Sequence, residues 1–184
     1  MNHVIRAVRA DEWAEVKELR LLALQDPAAP LAFLATYEEA VKRPDSFWQE
    51  QAAGGSGQGL KSRQFIAEAA DGSWSASVAL LIEEPGYIDF MQHTVERAQG
   101  HLVGVYVRPE HRGSGLIKEL IAAALDWAWS LEEPELSRVR LYVHEDNARA
   151  RAAYRKMGFT ATGVTVPFEP QPSQQELELV IPRP

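Results

Sequence analysis

Residues 105–116 read Val-Tyr-Val-Arg-Pro-Glu-His-Arg-Gly-Ser-Gly-Leu, and this segment constrains the fold more than any other. It predicts a buried strand that runs into a tight turn, with the turn opening a helix. Pro109 stops the strand. The first N–H groups of a helix have no intrahelical partner. Together with the helix dipole they form an anion site suited to phosphate. Gly113 and Gly115 let a ligand reach the backbone with no Cβ in the way, and Arg112 can add a charge-assisted contact. Taken alone, the segment also fits a plain strand–helix connection with glycines for turn geometry. It is not a Walker loop, because no Gly-Lys-Ser/Thr follows. Nor is it the dinucleotide fingerprint, because the third glycine is missing and the unit lies late in the chain.

The rest of the pattern surrounds this unit with strands and helices. Residues 4–8 read as a short first strand. Asp11 stands where an N-cap belongs, ahead of Trp13, Val16, Leu19 and Ala23 at helical spacing, and Asp26-Pro27 closes that helix. A second helical stretch is expected over 37–51, interrupted or kinked near Pro44. Residues 64–69 and 74–82 flank Asp71-Gly72, a hairpin signal. Residues 54–59 hold four glycines and read as a surface loop, and 83–100 read as irregular. The central strand spans 101–107, and Leu116, Leu120, Ala124 and Ala128 form one helical stripe after it. Residues 139–143 form the next strand. Ala150, Ala153, Tyr154 and Met157 then fall on one helix face, which Asn147 caps and Gly158 ends. Residues 162–168 and 176–181 close the pattern as paired strands. This order predicts one α/β (α+β) domain over residues 1–184, a mixed sheet with helices packed against it.

Charge and cysteine content narrow the function. Nineteen basic against twenty-six acidic residues leave a net charge of −7. That lacks the basic footprint a phosphate backbone demands, so a nucleic-acid binder is disfavoured. The absence of cysteine removes disulfides, thiolate zinc sites and a cysteine nucleophile. The segment beginning at Met1 has no apolar run of signal-peptide length, and no stretch approaches ~18 consecutive apolar residues. The expectation is a soluble, cytoplasmic protein with no membrane partner.

Two spaced motifs then carry a resemblance. Arg112-Gly113-Ser114-Gly115-Leu116-Ile117 is similar to the Gln/Arg-x-x-Gly-x-Gly/Ala loop of the GNAT superfamily of acyl-CoA-dependent N-acyltransferases. Asn147, Ala150, Tyr154, Gly158 and Phe159 match its downstream pattern Asn-x-x-Ala-x-x-x-Tyr-x-x-x-Gly-Phe. Residues 19–24, 33–39 and 176–179 also resemble bacterial members.

The resemblance implies a GNAT-like, mostly antiparallel sheet whose two central parallel strands splay apart around acetyl-CoA. By position these strands are 101–107 and 139–143. It implies a bulge in the first, with N–H groups near Val105 and Val107 turned to the thioester, and a co-substrate site of Val105, Tyr106, Val107, Arg112, Gly113, Ser114, Gly115, Leu116, Ile117, Lys118 and Asn147. Its pyrophosphate would sit on the N–H groups from Arg112 to Lys118. Tyr154 matches the family tyrosine and is the candidate acid for the leaving thiolate. His101, at the head of the central strand, is the candidate base, since imidazole titrates near neutrality. A structural role for His101 stays open, and Glu83, Glu84 and Asp89 compete with it for holding or deprotonating a cationic acceptor.

The implied activity is transfer of an acetyl group from acetyl-CoA to a primary amine by direct attack, with a small cationic amine as acceptor. A protein N-terminus or lysine, or a non-catalytic acyl-CoA-binding module, are the alternatives. A homodimer is compatible with the resemblance. Ile117 departs from the motif, because its β-branched side chain stands where the family has Gly or Ala. His144-Glu145-Asp146 matches no standard metal spacing, and no metal is expected.

Overall fold

The computed structural model describes residues 3–89 and 92–184. Readings that touched Met1, Asn2, Phe90 and Met91 lie outside the described residues. Among the described residues, alternating apolar and polar side chains produce seven strands: β1 (Val4–Ala7), β2 (Ser62–Glu68), β3 (Trp74–Glu83), β4 (Gln99–Val107), β5 (Arg138–His144), β6 (Thr160–Pro167) and β7 (Gln175–Pro182). They form one sheet in the order β1-β2-β3-β4-β5-β7-β6. Every neighbouring pair is antiparallel except β4 and β5. Those two are parallel and are paired only at Gly100–Val139 and His101–Arg140. Beyond that root they separate. The sheet is therefore mixed, mostly antiparallel and splayed at its centre, as the motifs implied.

Each face of the sheet has its own apolar layer. Leu116, Leu120, Ala124 and Ala128 of α4 (Leu116–Ser130) are buried, and Ile121 and Trp127 widen the stripe. They pack on Val78, Leu80, Leu102, Val139 and Leu141, with Tyr154 and Phe159 in the same cluster. Burying a leucine such as Leu120 contributes about 1.5–3 kcal/mol. On the opposite face, α1 (Trp13–Leu24) and α3 (Asp45–Gly54) bring Val16, Leu19, Ala23, Trp48 and Ala52 onto Ile66, Trp74 and Tyr106.

Several boundaries differ from expectation. Asp11 does not cap α1. Glu12 holds that position, and its carboxylate accepts from the Arg9 N–H at 2.8 Å and pairs with Arg6 at 2.6 Å. The stretch expected to be interrupted or kinked near Pro44 is interrupted: α2 (Tyr37–Ala40) is opened by a Thr36–Glu39 capping box, and α3 begins directly after Pro44. Proline cannot donate to the preceding turn, so the helix restarts instead of bending. β4 begins at Gln99, two residues earlier than read. The last pair starts at Thr160 and Gln175. The fifth helix, α5 (Ala148–Lys156), is capped by Asn147, whose Oδ1 accepts from the Ala150 N–H at 3.1 Å. No helix among the described residues is long and apolar enough to cross a membrane.

Candidate active site

The splay opens a cavity of about 1040 Å³ between Leu102–Val107 on one side and Leu141–Val143 on the other. One end is formed by the turn before α4 and by Asn147, Ala150 and Tyr154. Toward the root of the splay the cavity is lined by Leu81, Glu83 and His101, and residues of the segment 28–35 and Tyr87 also line it.

The wall contributed by β4 is irregular. Val103 pairs with Ala79 and Tyr106 with Ser77, so Gly104 and Val105 together stand opposite Val78. That is a β-bulge, and Gly104 occupies it at φ +62°. A Cβ on Gly104 would meet nothing within 4 Å, so the bulge needs glycine for its backbone conformation and not for space. Val105 is left out of the ladder with β3, and β5 has already departed on its other side.

The turn before α4 leaves donors over. Arg112 N–H bonds Pro109 O at 3.2 Å, Ser114 N–H reaches His111 O at 3.4 Å, and Lys118 N–H bonds Gly115 O at 2.9 Å. The N–H groups of Gly113, Gly115, Leu116 and Ile117 have no hydrogen-bond acceptor among the described residues, and all four residues line the cavity. Gly115 is the residue before the helix, at φ +94°. Ser114 and Lys118 are exposed and outside the cavity wall, and the Ser114 hydroxyl donates to His111 O at 2.6 Å. The Arg112 side chain is committed. Nε donates to Val107 O at 3.1 Å, and Nη2 pairs with the carboxylate of Asp26. This ties the turn to the segment after α1, which also lines the cavity. Ile117 is half-buried, lines the cavity and packs on the core.

Tyr154 is buried against Phe159, ring centroids 6.0 Å apart, and lines the cavity. Burial pushes its hydroxyl pKa above the ordinary phenol value, so it is protonated at neutral pH.

His101 sits at the root of the splay. Its Nδ1 lies 2.9 Å from Glu83 Oε1, and Tyr142 meets its ring edge-on at 5.6 Å. Glu83 also binds Arg140 Nη2 at 2.8 Å and accepts from Gln99 Nε2 at 2.8 Å. Burial works to raise the Glu83 pKa, but His101 and Arg140 outweigh it and hold the carboxyl at about 2. Arg140 further reaches Asp89 at 3.0 Å and the Tyr142 hydroxyl at 3.0 Å, and Tyr142 donates to Glu178 at 3.3 Å. Burial pushes the Tyr142 pKa up to about 12, with Arg140 acting against it. Of the carboxylates that competed with His101, Glu83 and Asp89 are therefore paired inside this buried network, and Glu84 is exposed. The described residues hold no cluster of three or more side chains fit for a metal ion.

The sequence reading missed Arg140, Tyr142, Asp26 and Glu176, all of which touch or line the site. A signal for three of them was present. Arg138, Arg140 and Tyr142 alternate with Val139, Leu141 and Val143, and Glu176 and Glu178 alternate with Leu177 and Leu179, so each strand offers one polar face.

With this geometry in place, the comparisons with known proteins are decisive for the family. The model of the acetyltransferase (GNAT) family matches residues 33–159. The chain belongs to this family. It is similar to the streptothricin acetyltransferase of Streptomyces lavendulae, 32% identical over 122 residues, covering 66% of this chain and 57% of that protein. It also resembles a mycothiol acetyltransferase of Pseudarthrobacter chlorophenolicus, 37% identical over 79 residues, which are 43% of this chain and 24% of that protein. The match thus spans about a quarter to somewhat over half of these relatives' lengths. Among solved structures, Arabidopsis thaliana NAA60 in complex with a bisubstrate analogue superposes with a TM-score of 0.67. It covers 98% of this chain and 97% of that one at 16% identity, a likeness of fold.

Proposed function

We propose that the protein is an N-acetyltransferase that moves the acetyl group of acetyl-CoA to a small cationic primary amine by direct attack. The observation that carries this reading is the set of unpartnered N–H groups at Gly113, Gly115, Leu116 and Ile117, which open onto the cavity that runs along the splay to Tyr154. Such donors fit a pyrophosphate. At about 1040 Å³ the cavity has the volume for a pantetheine arm together with a small acceptor. Among the chain's relatives, the streptothricin and mycothiol acetyltransferases support a small acceptor over a protein surface. A cysteine-free chain that uses acetyl-CoA fits the cytoplasm.

The chain's own groups then take the following roles. A primary alkyl ammonium has a pKa near ~10.4, so a proton must leave before attack. His101, oriented by Glu83, takes it directly or through water. The N–H groups of the bulge around Val105 and Val107 receive the oxygen charge as the amine nitrogen bonds to the acetyl carbon. The carbon–sulfur bond breaks, the attacking nitrogen sheds its second proton to solvent, and the Tyr154 hydroxyl gives its proton to the departing thiolate and regains one from solvent.

The test is release of free CoA thiol from acetyl-CoA against a panel of primary amines. Amine-dependent release, with the acetylated amine found by mass spectrometry, is the expected result. Acetyl-CoA that binds without being consumed by any amine would make the chain a binding module instead.

A further inference from the structure

Among the described residues three carboxylates line the cavity, and two of them are neutralised. Asp26 is paired with Arg112, and Glu83 with His101 and Arg140. The third is Glu176 of β7, whose carboxylate makes no hydrogen bond or ion pair among the described residues although the residue is half-buried. Its cross-strand neighbour on β5 is His144, but both ring nitrogens of that residue are used. Nε2 is 3.0 Å from Gln174 Oε1, and Nδ1 accepts from the Asp146 N–H at 3.1 Å. On the other side Glu176 faces Val166 of β6, and the other nearby charge is Glu169. Burial raises the Glu176 pKa, with His144 working the other way and Glu169 adding to it. The side chain is thus a charge removed from water with no counter-ion among the described residues.

Register places this carboxylate relative to the reacting atoms. Residues directly paired across a sheet project to the same face, and so do residues two apart on one strand. His101 pairs with Arg140, and Tyr142 and His144 follow Arg140 on the same face. Glu178 and Glu176 lie opposite them. Counted forward from the Gly100–Val139 root and allowing one residue for the bulge, Glu176 is level with Val105 and Tyr106. It stands two strands away from β4, about 10 Å before the splay widens the gap.

We infer that Glu176 is a specificity-determining residue that holds a second cationic group of the acceptor, so the preferred substrate is a diamine. One nitrogen is acetylated at the bulge, and the other, as an ammonium, pairs with Glu176. Tyr142 lies on the same face between the two. This inference rests on the acetyl-transfer reading above and goes further by assigning the class of acceptor.

The test compares α,ω-diaminoalkanes, from diaminopropane to diaminooctane, with the monoamine of the same carbon count, in the wild-type chain and in Glu176→Gln and Glu176→Asp. A charge-assisted contact at a half-buried site predicts that the diamine-to-monoamine ratio of kcat/KM falls about 10- to 100-fold in Glu176→Gln, chiefly through KM. Glu176→Asp, which keeps the charge, should restore part of the ratio and shift the favoured chain length upward. The same ratio in wild type and Glu176→Gln would overturn the inference, even if both activities fell together. Turnover of monoamines in that case would leave acetyl transfer intact. If no amine is acetylated, calorimetry of diaminopentane with the CoA-loaded protein decides the matter. Binding weakened by Glu176→Gln sustains the site, and binding that is absent or equal in both proteins removes it.

Discussion

Glu83→Gln is the substitution whose consequences follow most directly from the structure. The wild-type carboxylate is buried, lies 2.9 Å from His101 Nδ1 and 2.8 Å from Arg140 Nη2, and is held at about 2 against an ordinary value of 4.5. A carboxyl whose pKa is depressed on folding contributes stability that is fully present above its unfolded pKa and is lost as pH falls through the folded one. The shift corresponds to about 3 kcal/mol at neutral pH, with about half of it gone by roughly pH 3. Glutamine has nearly the shape of a protonated glutamate, so the variant mimics the acid form. Urea denaturation of both proteins at neutral pH should place Glu83→Gln about 3 kcal/mol below wild type, and the gap should shrink steadily below about pH 4.5 and close near pH 2. A gap independent of pH would refute the reasoning, because it would trace the loss to shape or packing and not to the charge shared with Arg140 and His101. In activity, the same variant should lower kcat/KM, since it withdraws the carboxylate that orients the imidazole.

Tyr154→Phe keeps the ring against Phe159 and removes only the hydroxyl, which has no hydrogen-bond partner among the described residues. Stability should change by less than about 1 kcal/mol, while kcat falls ~10²–10⁴-fold with acetyl-CoA affinity retained. Unchanged kcat in a folded variant would make Tyr154 a packing residue. Gly104→Ala places a Cβ on a residue at φ +62° and should cost about 1–2 kcal/mol by thermal unfolding. If the bulge turns Val105 N–H to the thioester, kcat should fall with it. Asp26→Asn breaks the pairing with Arg112, and amide exchange across residues 28–35 should then speed up. Exchange unaltered in that segment would show that the pair does not hold it.

Much of this architecture could be read from local pattern. The α4 stripe of Leu116, Leu120, Ala124 and Ala128 repeats at helical spacing, and Asn147 caps α5 as its neighbours require, because both depend on residues close in sequence. The position of the glycine turn is legible for the same reason. The buried network around Arg140 is not. It joins Glu83, Asp89, His101, Tyr142 and Glu178, separated by up to roughly half the chain, and only the β3–β4–β5–β7 register brings them together. Arg112 is the instructive case. Its local context suggests a phosphate ligand, yet its guanidinium is paired with Asp26, eighty-six residues away. Glu176 shows the converse. Its exposure to the cavity is a property of the splay and of a histidine whose nitrogens are already bonded, and neither can be read from the alternation of β7.

The most direct test of the account is calorimetric titration of acetyl-CoA into the wild-type chain and into Gly115→Val. In the proposed complex the pyrophosphate rests on the N–H groups of Gly113, Gly115, Leu116 and Ile117. Saturable binding of one acetyl-CoA per chain is expected, weakened in the variant, whose β-branched residue is strained at the φ of +94° that aims those donors. No heat of binding at millimolar acetyl-CoA, or binding of equal strength in the two proteins, would contradict it.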